Sequence, residues 1–263
     1  MAKSYGVTDS NLFDYSMEEL HGEWFRGPLD RGPDAIAWLG AAQTFGRLAA
    51  EPFPAIVGKR LDLGTLNLGS GGKSPQYYLH HSELLEEVNR CRVAVIQIMS
   101  ARGSDNSLFR SNEGGVRGVR VDTGAITKSL PKELLDEGRG REARRVTRES
   151  QASYVDAMCS LLEAINPPTI LLWISFREPT PGRSDGGRTW ESASPQLVNA
   201  NMIRQIVPLA DRFVAVVSRA NIPNEIHDRD GNVARTNRYY PSPEMHCAAA
   251  DKLTPVVREL VRA

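Results

Sequence analysis

The run at residues 93–99, Val-Ala-Val-Ile-Gln-Ile-Met, contains a single polar side chain, Gln97. A strand of that kind has no face to offer water, so it belongs in a parallel sheet covered on both sides. Residues 35–39 are likewise apolar and are stopped by Gly40. Residues 169–175 follow Pro167-Pro168, residues 213–217 make a fourth run, and 64–68 a weaker fifth. Helical segments are expected between them at 44–50, 75–89, 150–165 and 195–211, with a last one at 243–261. A short helix at 18–25 is expected ahead of the first strand. Five strands alternating with helices predict an α/β fold, a three-layer doubly wound sheet in the order 2-1-3-4-5 with 93–99 in the middle.

Residues 106–149 break this rhythm. They are rich in glycine and then in charge, and they are too long for an ordinary strand-to-helix loop. They are read as an insertion carrying one or two short helices, with a lid as one role, inside a single domain spanning 1–263. The polar stretches 178–194 and 219–240 are read as loops.

Composition narrows the function classes. The 32 basic and 32 acidic residues cancel, which argues against a chain-wide footprint for nucleic acid or an anionic membrane. No stretch reaches the roughly 20 apolar residues of a membrane helix, and no apolar leader is seen at the start of the chain. The three cysteines, Cys91, Cys159 and Cys247, form no CxxC pair and suit a reducing compartment. A cytoplasmic protein is expected. No histidine pair has metal-ligand spacing and no Walker or Rossmann pattern is present, so neither a metal nor a cofactor is expected.

Ligands of doubly wound sheets bind at the carboxyl ends of the strands. The segments there resemble the sequence blocks of the SGNH, or GDSL-like, hydrolases. The Gly-Asp-Ser-x-Thr-x-Gly block falls on Gly40-Ala41-Ala42-Gln43-Thr44-Phe45-Gly46, with Ala42 where the nucleophilic serine is expected. The Asn-x-Gly-x-x-Gly block is intact from Asn67 through Gly69 to Gly72, and the resemblance implies an oxyanion-binding N–H at Gly69. The Gly-x-Asn block falls on Met99-Ser100-Ala101, so its asparagine is missing. The Asp-x-x-His-Pro block falls on Asn237-Arg238-Tyr239-Tyr240-Pro241, with Tyr240 in place of the base. The chain also looks like a narrower, uncharacterised bacterial family on a divergent branch of these hydrolases. That likeness rests on Phe25-Arg26-Gly27-Pro28, Pro52-Phe53-Pro54, Tyr78-Leu79-His80, Met99-Ser100-Ala101-Arg102 with Asn106, and Pro241-Ser242-Pro243 with His246.

Two functions follow. In the first, a rebuilt active site hydrolyses an ester, or transfers an acyl or sulfuryl group, on a carbohydrate-type or anionic substrate. His246 is then the base, and Ser100, Thr44 or Ser70 the nucleophile. In the second, the fold has lost its chemistry and binds an anionic or sugar-like ligand, as the joint loss at Ala42, Ala101 and Tyr240 suggests. Arg102 is the main candidate ligand group in either case. A guanidinium just past a central strand is costly to place unless it meets an anion. Its alternative role is a salt bridge to Asp105. Asn106, Arg26, Lys73 and Ser70 are candidates to join it, with His80 facing the 67–72 loop. His227 is expected at the surface.

Overall fold

The structure, a computed structural model, describes residues 2–181 and 194–262. It opens with α1 (Ala2–Thr8) and an antiparallel hairpin, β1 (Met17–Leu20) and β2 (Glu23–Arg26). The hairpin replaces the helix expected at 18–25. Its two-residue loop, His21-Gly22, has φ of 51° and 79°, and a turn with two left-handed residues matches the twist of paired strands.

The main sheet begins with β3 (Ala35–Leu39), which leads into α2 (Ala42–Phe45), α3 (Phe53–Leu61) and β4 (Gly64–Asn67). Helices α4 (Pro75–Leu79) and α5 (Ser82–Val88) precede β5 (Val93–Gln97). The expected helix at 44–50 is thus one turn, closed by Gly46 in the left-handed region. The helix expected at 75–89 is two, because the chain bends at His80 and His81.

The insertion holds a three-stranded antiparallel sheet: β6 (Phe109–Ser111), β7 (Gly118–Arg120) and β8 (Ile126–Thr127). After it come α6 (Leu130–Asp136) and α7 (Gly140–Glu163), whose first turns lie inside the segment read as an insertion. Strand β9 (Thr169–Ser175) follows, then α8 (Ala200–Ile206), a 3-10 turn (Val207–Leu209) and β10 (Arg212–Val217). The loop expected at 219–240 is a hairpin, β11 (Asn224–His227) and β12 (Val233–Asn237). Helix α9 (Pro243–Arg262) ends the fold. Most of the loop expected at 178–194 lies outside the described residues.

The main sheet is parallel at every pairing and runs β10-β9-β5-β3-β4, the expected order 2-1-3-4-5 with β5 central. Alternate side chains of each strand enter opposite layers. Ala37, Leu39, Ile96, Leu171 and Trp173 face α4, α5, α7 and α8. Ile36, Trp38, Val95, Ile170 and Leu172 face α3 and α9. Each fully buried aliphatic side chain is worth about 1.5–3 kcal/mol, so this double covering locks the sheet's edge as a rigid platform. Among the described residues no helix is long and apolar enough to cross a membrane.

Candidate functional site

At the carboxyl edge of the sheet lies a cavity of about 270 Å3. Its floor is Ala41, Ala42 and Gln43, the turn after β3. Gln97, the polar member of the apolar run, sets that turn. Its Oε1 accepts from the Ala41 N–H at 3.0 Å and the Thr44 hydroxyl at 2.7 Å, and its Nε2 donates to Gln43 Oε1 at 3.1 Å. Thr44 is therefore buried and engaged in holding the turn.

The Asn67–Gly72 loop is also occupied with the fold. Asn67 donates to the Thr44 carbonyl at 3.0 Å, and its Oδ1 accepts the Gly69 N–H at 3.0 Å. Gly69 is required here by close approach, since a Cβ would overlap the Phe45 amide nitrogen. Its N–H does not point at an empty oxyanion position. Gly40 presses as closely on Thr44 and Gln97, and its N–H donates to the Tyr78 hydroxyl at 2.8 Å. Ser70 is buried, with its N–H on the Gly40 carbonyl. The Gly72 carbonyl accepts from Val116 at 2.8 Å, which ties the insertion to this loop.

The cavity does not bring together the residues of the expected catalytic group. His246 is fully buried between α3 and α9, stacked on Phe53 at 5.6 Å. Its Nδ1 accepts the Phe53 N–H at 3.2 Å, while Nε2 has no partner. Burial, with Arg26 nearby, pushes the imidazole down to about 3. Ser100 does line the cavity, but its hydroxyl donates to the Gln196 carbonyl at 3.2 Å and caps the short turn Ala101–Gly103. None of the histidines lines the cavity. His80 is exposed at the end of α4, and His227 is exposed on β11.

Two further expected ligand groups also belong to the fold. Arg26 is buried beneath the α2 turn, where it donates to the Gly46 and Ala49 carbonyls at 2.9 Å each and to the Ala50 carbonyl. Asn106 is buried at the root of the insertion, bonded to Ser150 at 2.9 Å and to the Leu108 N–H. A second cavity beside Arg26 has polar groups that are similarly used. There Asp30 accepts from Thr65 and Asp14 from Ser16.

Arg102 is different. It lines the edge cavity, forms no ion pair among the described residues, and has a buried Nε with no partner. Asp105, its expected alternative partner, instead accepts the Ser111 N–H at 2.7 Å. Among the described residues, Lys73, Arg117 and Lys128 line the same space without an ion pair, and no carboxylate lines it. Burial against the Tyr77 ring, 3.7 Å away, pushes the Lys73 ammonium below the usual lysine range. Glu23 and Glu113 act on that ammonium only from beyond ion-pair distance.

The remaining wall was not foreseen from the sequence. Arg47 bonds the fully buried Asp9 through Nε at 2.8 Å and donates to the Tyr240 hydroxyl at 2.9 Å. Its guanidinium lies 4.1 Å from the Tyr5 ring centroid and 5.1 Å from that of Tyr240. Tyr240, at the position expected of a base, is thus part of an aromatic wall, and Tyr239 stands edge-on to it at 5.1 Å. Asp9 and Arg47 carry no motif, and nothing in their local spacing announces the contact across 38 residues.

A doubly wound sheet in this order, with a glycine-framed turn after its first strand and its cavity at the carboxyl edge, is the fold that the resemblance to the SGNH hydrolases implied. The chain belongs to the family described as "Domain of unknown function (DUF6473)", whose model matches residues 4–113 and 126–261. No curated protein matches it. Among solved structures it is similar to an acetyl xylan esterase, Est2A, from Butyrivibrio proteoclasticus. Identity there is 12%, covering 92% of this chain and 67% of that one, with a TM-score of 0.47. It is also similar to a putative lipolytic protein of the G-D-S-L family from Desulfitobacterium hafniense, at 14% identity, 85% and 99% coverage, and a TM-score of 0.36. A third is the acetylxylan esterase Axe2 of Geobacillus stearothermophilus in a catalytic mutant, at 14% identity, 89% and 96% coverage, and a TM-score of 0.41.

Proposed function

We propose that this protein is a non-hydrolytic member of the SGNH type that binds an anionic, carbohydrate-type group in the edge cavity. The observation that carries the reading is the cavity's charge. Among the described residues, four cations without an ion pair and no carboxylate line it, and one of them, Arg102, is half-buried. The Arg102 guanidinium lines the cavity with no ion pair among the described residues, and a carboxylate or sulfate would meet it with charge-assisted bonds. The rings of Tyr5, Tyr239 and Tyr240 and the amides of Gln43 and Gln196 supply the mixed apolar and polar lining that a sugar ring needs. The three free thiols fit a reducing compartment, which supports cytoplasmic placement.

The alternative, a hydrolase or acyl/sulfuryl transferase, needs Ser100, Thr44 or Ser70 within reach of His246. The separate burial and bonding of these groups speak against it. Titration calorimetry with methyl glucuronide and with inorganic sulfate tests the binding reading. Arg102→Ala should weaken binding by at least about tenfold, corresponding to about 1.4 kcal/mol. Arg102→Lys should also weaken it, since lysine has no planar fork. Unchanged affinity in both variants would remove the reading.

A further inference from the structure

We infer that the cavity takes a saccharide bearing at least two anionic groups, with the insertion supplying the second anion subsite through Arg117 and Lys128. This rests on the binding reading above and extends it. Strands β7 and β8 pair with Gly118 opposite Thr127 and Val119 opposite Ile126. One step further along the same register sets Arg117 against Lys128. Like charges directly opposite one another on paired strands destabilise the pair, yet both residues line the cavity and neither has an ion pair among the described residues.

The insertion does not lack carboxylates. Arg120, two residues along β7, is engaged by Asp122, Glu133 and Glu137, and Arg139 by Asp122, Glu137 and Glu142. The opposed cations at the rim thus go without the carboxylate partners that Arg120 and Arg139 find in the same segment.

They are also held in place. Lys73 and Gly115 form an antiparallel bridge, the Val116 N–H donates to the Gly72 carbonyl at 2.8 Å, and the Ser74 N–H donates to the Gly114 carbonyl at 2.9 Å. A Cβ on Gly118 would overlap the Arg110 carbonyl, so β6 and β7 close tightly below the pair. Backbone bonding to the Asn67–Ser74 loop holds the insertion against the cavity as one of its walls. Arg117 and Lys128 are exposed while Arg102 is half-buried. That depth difference separates an inner anion from an outer one, and neighbouring substituents on a sulfated or uronate-containing saccharide have that arrangement.

Calorimetry with two probes tests this: a disaccharide carrying one sulfate, and the same disaccharide carrying one on each ring. The wild type should bind the second at least about tenfold more tightly. In the double variant Arg117→Ala, Lys128→Ala that advantage should fall below about twofold. Both side chains are exposed, so the variant should fold, and a melting temperature no lower than the wild type's checks that. Equal affinities in the wild type, or an advantage that survives the double variant, would overturn the second subsite and leave the Arg102 reading standing. Loss of the singly sulfated probe in Arg102→Ala supports the first subsite independently. Failure of the wild type to bind either probe would remove both.

Discussion

The Gly69 N–H donates to Asn67 Oδ1 at 3.0 Å. In a working hydrolase of this type that amide is expected to meet a developing oxyanion, and here it closes a turn within its own loop. At Ala42 there is no hydroxyl to act as a nucleophile, and the Gly69 N–H is spent within its own loop. Catalysis of acyl transfer draws much of its rate from donors left free for the transition state.

Restoring a serine should therefore not restore an esterase. Ala42→Ser is expected to raise p-nitrophenyl acetate hydrolysis by less than about tenfold over Ala42→Gly, because neither base nor oxyanion donor is supplied with it. A stopped-time assay of both variants and the wild type measures this. A rise of several orders of magnitude would mean that a base stands near residue 42 after all.

Arg26 should prove a residue of stability. Its guanidinium gathers the carbonyls of Gly46, Ala49 and Ala50 that follow the single turn α2, with Tyr15 stacked 4.9 Å away. Arg26→Met strands those acceptors in a buried place, and a loss of more than about 3 kcal/mol is expected in urea unfolding. Arg26→Lys should recover only part of it, because one ammonium cannot span three diverging carbonyls. The folded fraction should keep the wild-type affinity for methyl glucuronide.

The sheet was legible because its strands are buried on both faces, and residues such as Val93–Gln97 carry that burial openly in their composition. Helix α7 was legible only in its second half. Its inner stripe, Ala143, Val146, Ser150, Tyr154, Ala157 and Leu161, keeps a helical period throughout, but the arginines and glutamates of its outer face dominate the first three turns. The small strands β6 to β8 and β11 to β12 were missed because they are only two to five residues long and do not alternate apolar-in, polar-out: Val119, Ile126 and Val233 are exposed while Arg120 is buried. Within the site, Arg102 could be read from its place after a strand. Arg47 could not, since its role depends on Asp9 and Tyr240 arriving from opposite ends of the chain. His246 misled for a related reason. Its number placed it near the base position, whereas its helical phase turns it into the α3–α9 interface.

That burial has a pH signature. An imidazole whose pKa is pushed down to about 3 in the folded state stays neutral there, while the unfolded chain takes up a proton near the ordinary histidine value. The unfolded state then binds more protons between those limits. Stability from this group is complete above about 6.5 and declines as pH falls toward about 3, with a slope of up to about 1.4 kcal/mol per pH unit. Carboxylates titrate in the same window, so the test is a difference. His246→Asn places an amide oxygen near the Nδ1 position to accept the Phe53 N–H but does not titrate. Its urea stability should fall less steeply than the wild type's from pH 6 to pH 4, roughly by that slope. Parallel curves would show that His246 is not the residue that charges on unfolding.

Arg117→Glu separates what the insertion does for folding from what it does for binding. In the wild type, Arg117 and Lys128 flank the Gly118–Thr127 pair just beyond the ends of the two strands, where extending the register sets like charges opposite each other. A glutamate at 117 turns that repulsion into an attraction between side chains opposite one another. Cross-strand charge pairs are worth about 0.2–1 kcal/mol each way, and both positions are exposed, so the gain should be modest and should shrink in high salt. The variant should melt slightly higher than the wild type at low ionic strength and nearly level with it in 1 M salt, where screening is short-ranged. Its affinity for the doubly sulfated disaccharide should move the opposite way, dropping at least to that of the singly sulfated one. Higher stability with lost affinity assigns the like-charge pair to ligand binding. A fall in melting temperature would show that Arg117 holds the small sheet together through a contact other than its charge.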